Sequence, residues 1–283
     1  MLWRALKHVS QGFYIDVGAA SPDEGSVTRA FYERGWRGIN IDPEPRYAEA
    51  LRRRRPRDTN LEMAVGAMPG RAVLYRISGT GLSTFDAAVA GRHAKAGFPA
   101  PEAIEVEVGT INAIWQAHAP DVVHFLKIDA EGSEREVLLG TDLTKLRPWI
   151  ILIEATAPFS PELTAHEFED LILRAGYASC WFDGINAWYV AKEHDGSLRE
   201  AFEVPPNYFD DFVTVNYVAQ RSRADAAEAR LEDLHSVHLR DKARIAELEA
   251  AWHAQVRRAE AAEEMVAKLR RGLSFWPFRR RRH

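Results

Sequence analysis

"HFLKIDAEGSEREVL", residues 124–138, decides how the rest of the chain is read. Its first half is a near-continuous apolar run of strand length, and it ends abruptly in Asp129, Glu131 and Glu134, with Gly132 among them. Such a run suits a strand buried on both faces of a sheet. Carboxylates at the end of a buried strand are costly unless something pairs with them. The arrangement recurs: "GFYIDVGAA" carries Asp16, "RGINIDPEP" carries Asp42, and "PWIILIEAT" carries Glu154 at the end of its apolar run. In open α/β sheets, ligands bind beyond the carboxyl ends of the strands, beside the point where strand order reverses. Four acids on one such rim point to a site rather than to four independent caps or salt bridges.

Around these strands the chain alternates in type. "SVTRAFYERG" reads as a helix closed by Gly35, "YAEALRRRRP" as a helix stopped by Pro56, "NLEMAVGA" as a third strand, and "SEREVLLGTDL" as the helix after the opening stretch. A further helix is expected over roughly 164–175, and "SCWFDG" with "AWYVAKE" forms a closing hairpin that predicts an antiparallel edge. Apolar strands separated by helices predict an α/β fold with a doubly wound, mostly parallel sheet covered on both faces. This domain is expected to span 1–213. A second regime, without proline or glycine, runs from about 217 to 271. With Ile245 at heptad position a, that series reads Tyr217, Ala224, Leu231, His238, Ile245, Trp252, Ala259, Val266, Leu273. The d series reads Gln220, Ala227, Leu234, Asp241, Leu248, Gln255, Ala262, Leu269. The register holds without a break, which predicts a long C-terminal coiled-coil helix over 214–271 and a homo-oligomer formed through it. The competing reading is an amphipathic helix folded back on the domain. A basic aromatic tail, "FWPFRRRRH" at its end, completes the chain over 272–283.

Bulk properties narrow the function. The 283 residues carry 37 Lys and Arg against 41 Asp and Glu, a net charge of −4, which gives no global attraction to nucleic acid. The lone cysteine forms no internal disulfide and fits a reducing compartment. No run approaches the ~20 apolar residues of a membrane span, and the N-terminus has no secretory h-region. The expected location is cytoplasmic, with the tail's aromatics and arginines suited to peripheral contact with the inner membrane. A protein partner for the tail, or disorder, explains it equally.

The first loop discriminates between ligands. A dinucleotide pyrophosphate calls for G-x-G-x-x-G. Here "DVGAASPDEGSVT" places Asp23 and Glu24 between Gly18 and Gly25. Acids there repel a pyrophosphate, which disfavours a nucleotide-dependent oxidoreductase, and they accommodate a cationic cofactor such as S-adenosylmethionine. Asp42 stands where a strand-end acid accepts hydrogen bonds from ribose hydroxyls.

The stretches "YIDVGAASPDEGSVT", "FYERGWRGINIDPEP", "GTGLST", "HFLKIDAEGSEREVLLGTDL" and "RPWIILIEAT" together resemble the FkbM-type family of S-adenosylmethionine-dependent methyltransferases. The resemblance covers about residues 13–213 and leaves the coiled coil outside. It differs at Ala20, where the family often has Asn, and in a longer loop. It implies a Rossmann-like methyltransferase fold and O-methylation of a sugar hydroxyl in a bacterial cell-surface polysaccharide or glycolipid. It also implies cofactor contacts at Asp16, Gly18, Ala19, Ala20, Ser26, Asp42, Pro43 and Ser83. Transfer to a hydroxyl needs a positioned acceptor and a group to take its proton. Asp129 is the candidate base or acceptor-orienting group, Glu131 its support, and Lys127, two residues earlier on the same strand face, tunes its charge. Glu154 could bind acceptor, or join Asp129 in an oxygen-rich set for Mg²⁺ or Ca²⁺. No His or Cys spacing suggests zinc. A rival of another class keeps the fold without catalysis, as a coiled-coil adaptor in a glycan-assembly complex.

Blander readings stand beside these. Glu134 serves a helix start as well as a site. "GTGLST" (79–84) is a turn or a ligand loop. Asp183 and Asn186 in "FDGIN" form a turn or bind sugar hydroxyls. His124 reads as a core group and His93 as a loop residue with only a remote claim to act as a base.

Overall fold

The computed structural model describes residues 1–158, 160–210 and 213–273, in two units, Met1–Asp210 and Asp211–His283. The first unit is built on a seven-stranded sheet. Its strands are β1 (Phe13–Val17), β2 (Arg37–Ile41), β3 (Thr59–Leu61), β7 (Phe125–Ile128), β8 (Ile150–Glu154), β9 (Tyr177–Phe182) and β10 (Asn186–Ala191). They lie in the order β3-β2-β1-β7-β8-β10-β9. All pairings are parallel except those of β10, which runs antiparallel to both of its neighbours. The chain winds outward from β1 to β3, then crosses back to place β7 on the other side of β1. That reversal leaves a crevice at the carboxyl ends of β1 and β7.

Side chains alternate across the sheet and fill two cores. Ile15, Val17, Ile39, Ile41, Leu126, Ile128, Ile151 and Ile153 join one face. Tyr14, Phe125, Ile150 and Leu152 join the other, with Phe31, Trp36, Trp188 and Phe202. Asp16, Asn40 and Lys127 share the second face by alternation, so three polar side chains enter an otherwise apolar layer. Short helices connect the strands: α2 (Arg29–Glu33), α3 (Pro45–Arg54), α5 (Ile111–His118), α6 (Glu134–Leu139) and α7 (Glu169–Arg174). Pro45 opens α3 at the one turn where a missing N–H costs nothing. Thr110 caps α5, its hydroxyl accepting from the Ala113 N–H at 3.3 Å.

One expectation holds at the sheet's edge and one is corrected. The closing hairpin does form an antiparallel edge: β9 is the edge strand, and β10, antiparallel to both neighbours, joins it to the parallel strands. Burial follows that position, since Ala187–Ala191 are buried throughout whereas β9 is half-exposed. "NLEMAVGA" is not one strand. It divides into β3, which closes the large sheet, and β4 (Ala64–Val65), which enters a second sheet. This second sheet, β4-β6-β5, adds β5 (Gly70–Arg76) and β6 (Glu102–Gly109), with helix α4 (Ala87–Lys95) between them in sequence. Asp86 caps α4 by accepting from the Ala88 and Val89 N–H groups.

The second unit is described by itself. Its helix α9 runs over Val215–Leu273, 59 residues without interruption. At 1.5 Å per residue it is about 88 Å long. Tail residues from 274 on, and the membrane contact expected of them, lie outside the described residues. Among the described residues no helix is long and apolar enough to cross a membrane.

Candidate active site

The crevice between β1 and β7 contains a cavity of about 170 Å³. Gly18 makes it possible. Its φ is +70°, and a Cβ there would stand 1.8 Å from the Asp129 carbonyl oxygen, so only glycine lets the two strand ends approach. The Gly18 N–H donates to the Ile41 carbonyl and the Asp129 N–H to that of Val17, which sews the loops after β1 and β7 onto the sheet.

Lys127 organises the polar layer beneath. Asp16 and Lys127 are register partners in adjacent strands. The Lys127 Nζ lies 3.3 Å from Asp16 Oδ1 and 3.2 Å from Asp129 Oδ2, and donates to the Gly18 carbonyl at 2.7 Å. Burial disfavours this ammonium, but the two carboxylates outweigh it and raise its pKa. Asp16 Oδ2 also accepts from the Thr28 hydroxyl at 2.9 Å. One buried cation therefore holds a strand, a loop carbonyl and a rim carboxylate together.

Asp42 shapes the other wall. One of its oxygens accepts from the Ala20 N–H and the other from the Glu44 N–H, both at 2.8 Å. Burial pushes its pKa up to about 6 despite these bonds. Ala20 is held with φ of +47°, a left-handed conformation that alanine adopts reluctantly. Pro43, Glu44 and Ser83 also line the cavity, with Ile41, Met63, Leu74 and Phe85 as apolar walls. Glu44 was not legible as a site residue. It is buried, accepts an ion pair from Arg46 at 2.5 Å, and receives the Ser83 hydroxyl at 3.5 Å. Only its place after Asp42, between two prolines, could have signalled it.

At the rim three acids converge. Asp129, Glu131 and Glu154 each offer an oxygen within 4.8 Å of the others. Burial, then Asp129, raises Glu131 to about 8 and Glu154 to about 9. Like charges this close cannot all ionise, so the cluster retains protons at neutral pH. Oxygen donors in this number also suit a hard divalent cation, with Glu131 joining the expected pair Asp129 and Glu154. Glu131 has φ of +49°, and two straps hold it in that strained conformation. The Thr84 hydroxyl donates to the Glu131 carbonyl at 3.1 Å, and Glu134 Oε1 accepts from the Ala130 and Gly132 N–H groups at 2.9 and 3.2 Å. Glu134 is thus a clamp on the loop it follows, and the "GTGLST" segment reaches the cleft through Ser83 and Thr84.

Other predicted residues sit differently. Ala19 is buried, its N–H donating to the Ile41 carbonyl at 3.2 Å. Ser26 does not line the cavity; its hydroxyl accepts from Arg55 at 3.0 Å. Asp183 accepts from the Ile185 and Asn186 N–H groups and from Trp188 Nε1, forming the β9–β10 turn. That turn is nonetheless close to the cluster, because Asn186 is the register partner of Glu154. His124 is a core group, accepting the Phe13 N–H at Nδ1 and packing on Trp36 and Trp149. His93 is buried on α4 and does not line the cavity.

The family model of the Methyltransferase FkbM domain matches residues 16–179, from Asp16 in β1 into β9, more than half of the chain. The chain belongs to the FkbM methyltransferase family. No curated protein and no solved structure matches it. The match encloses Lys127, Asp42 and the three-acid rim of this methyltransferase and stops short of α9. The family implies S-adenosylmethionine as methyl donor, and the cavity's chemistry fits that molecule. Its carboxylates suit a sulfonium and an ammonium, while Met63, Leu74 and Phe85 offer an apolar face to a purine.

Proposed function

We propose that this methyltransferase moves the methyl group of S-adenosylmethionine to a hydroxyl oxygen, and that the acceptor is a sugar of a cell-surface polysaccharide or glycolipid. The observation that carries the reading is the meeting of two features in one crevice: the Asp42 wall, and the Asp129, Glu131 and Glu154 rim whose Asp129 is held by Lys127. When bound, the cofactor supplies an electrophilic methyl group. Each Asp42 oxygen, already holding one backbone N–H, keeps a second lone pair for a ribose hydroxyl. The remaining work falls to the rim. An acceptor hydroxyl must be held in line and must surrender its proton as the new C–O bond forms.

Glu131 and Glu154 have the proton affinity for that task, because a carboxylate that titrates near 8 or 9 is a far stronger base than one that titrates near 4. Asp129, ion-paired with Lys127, orients the hydroxyl. A polyol acceptor suits a rim of several acceptor oxygens, with Asp183 and Asn186 next to Glu154 as further contacts. The test is transfer of labelled methyl from S-adenosylmethionine to a panel of glycans and glycolipid headgroups. Label appearing as a methyl ether supports the reading. Label on nitrogen or carbon, or none with any hydroxyl acceptor while cofactor binds, overturns the acceptor assignment.

A further inference from the structure

Helix α9 carries an apolar stripe that one helix cannot cover. Leu231, Leu248, Trp252 and Leu269, all in the a and d series, are 66, 55, 61 and 62% exposed. A 59-residue helix that leaves such a seam in water forgoes the burial of an apolar face that stabilises most protein helices. What covers it can be read from the flanking positions.

We propose that α9 is one strand of a parallel, in-register, two-stranded coiled coil formed with a second copy of this chain. In such a pair each g residue faces the e residue five positions later on the other helix. The g series runs Arg223, Arg230, Val237, Arg244, Ala251, Arg258, Met265, and the e series from Glu228 runs Glu228, His235, Lys242, Glu249, Val256, Glu263, Arg270. Parallel pairing therefore sets Arg223 against Glu228, Arg244 against Glu249 and Arg258 against Glu263, each twice by symmetry. Ala251 meets Val256, and no Lys or Arg meets another, nor any acid another acid, across the flanks. The centred antiparallel alignment, with Ile245 opposite Leu248, sets Glu228 against Glu263 and Arg221 against Arg270. It keeps only Lys242 against Glu249 as an attractive pair. The charges thus favour the parallel arrangement and disfavour its reverse.

The seam sets strand number and register. Leu234, Leu248 and Leu269 at d, with β-branched Ile245 and Val266 among the more varied a positions, favour two strands. His238 and Asp241 form successive polar layers, and only in register does each meet its own copy. A slip of one heptad would press His238 against Ile245 and leave a polar group in an apolar layer. In the single chain Arg244 pairs with Glu247 on its own exposed face at 3.2 Å, a contact that yields readily to Glu249 of a second copy.

Sedimentation equilibrium of the full chain at micromolar concentration gives twice the 32.0 kDa chain mass if the proposal holds. Monomer, trimer or larger species overturn it. Leu269→Cys in a Cys180→Ser background tests orientation. Mild oxidation cross-links it into a dimer if the helices are parallel and in register, whereas antiparallel helices hold the two positions roughly 67 Å apart and give none. The triple variant Arg223→Glu, Arg244→Glu, Arg258→Glu should weaken self-association by on the order of tenfold or more. Mixing it with Glu228→Arg, Glu249→Arg, Glu263→Arg should restore a dimer. Unaltered self-association in the first variant, or no recovery on mixing, contradicts the pairing. These substitutions lie on exposed positions of α9, so circular dichroism and cofactor binding report separately that the chain remains folded.

Discussion

Lys127 is the residue on which the site most depends. Its ammonium is the shared cation of Asp16 and Asp129 and the donor to the Gly18 carbonyl. Lys127→Met removes it and strands the buried Asp16 carboxylate. The expected loss is about 3–5 kcal/mol of stability at neutral pH, together with cofactor binding. Chemical denaturation checks it, and a loss below about 1 kcal/mol would show that the cation is dispensable. Ala20 offers the opposite test. Ala20→Gly relieves a left-handed alanine and should stabilise by up to about 1 kcal/mol, less the entropy glycine adds to the unfolded chain. A clear drop in the melting temperature would contradict it. Glu154 gives the pH dependence. Its folded pKa, about 9, lies above the ordinary carboxylate value, so the fold favours its protonated form. Stability from this group is fully present below about pH 4.5 and is lost as pH rises toward 9. Glu154→Gln, which mimics the protonated form, should therefore raise the melting temperature at pH 8–9 by roughly 2–4 °C and leave it nearly unchanged at pH 5. Equal effects at both pH values would remove the argument. Activity should run the other way and rise with pH through about 8, as Glu131 and its neighbours shed protons and become bases.

At the scale of elements, the site is two loops strapped together. Glu134 on α6 holds the Ala130 and Gly132 N–H groups, and Thr84 holds the Glu131 carbonyl. Thr84→Val cuts the second strap without altering size much, and it should lower kcat by on the order of tenfold while binding of cofactor changes little. An unchanged kcat would show that the strained Glu131 needs no strap. These straps also show what was readable in advance. The four strand-end acids could be found because apolar runs break off at them, and alternation placed Lys127 with Asp129. The second sheet was not readable. β5 and β6 are half-exposed and 25 residues apart in sequence, and nothing local tells such strands that they pair. "NLEMAVGA" misled for a related reason: Met63, Ala64 and Val65 continue the apolar run past a bend. Glu44 reads as a solvated acid, but it is buried, with Ser83 of a distant loop brought against it.

For the whole molecule, the family match ends within the first unit, and α9 is a second unit with a different sequence logic. The heptads made that helix legible along its full length, because a periodic pattern needs no tertiary information. The first unit holds all three hydrophobic cores among the described residues and every residue of the cavity. A chain ending at residue 213 should therefore fold and bind cofactor with an affinity within about twofold of the full chain. Failure to fold would assign α9 a structural duty toward the catalytic unit. The claim on which everything rests is that the crevice between β1 and β7 receives S-adenosylmethionine against the Asp42 wall. Calorimetric titration of the full chain with S-adenosylmethionine, and separately with NAD, tests it most directly, repeated with Asp42→Asn after circular dichroism has confirmed its fold. The first ligand alone should bind, weakened at least about tenfold by the substitution. No binding of S-adenosylmethionine, or binding indifferent to Asp42, would contradict it and turn attention to a non-catalytic role built on helix α9.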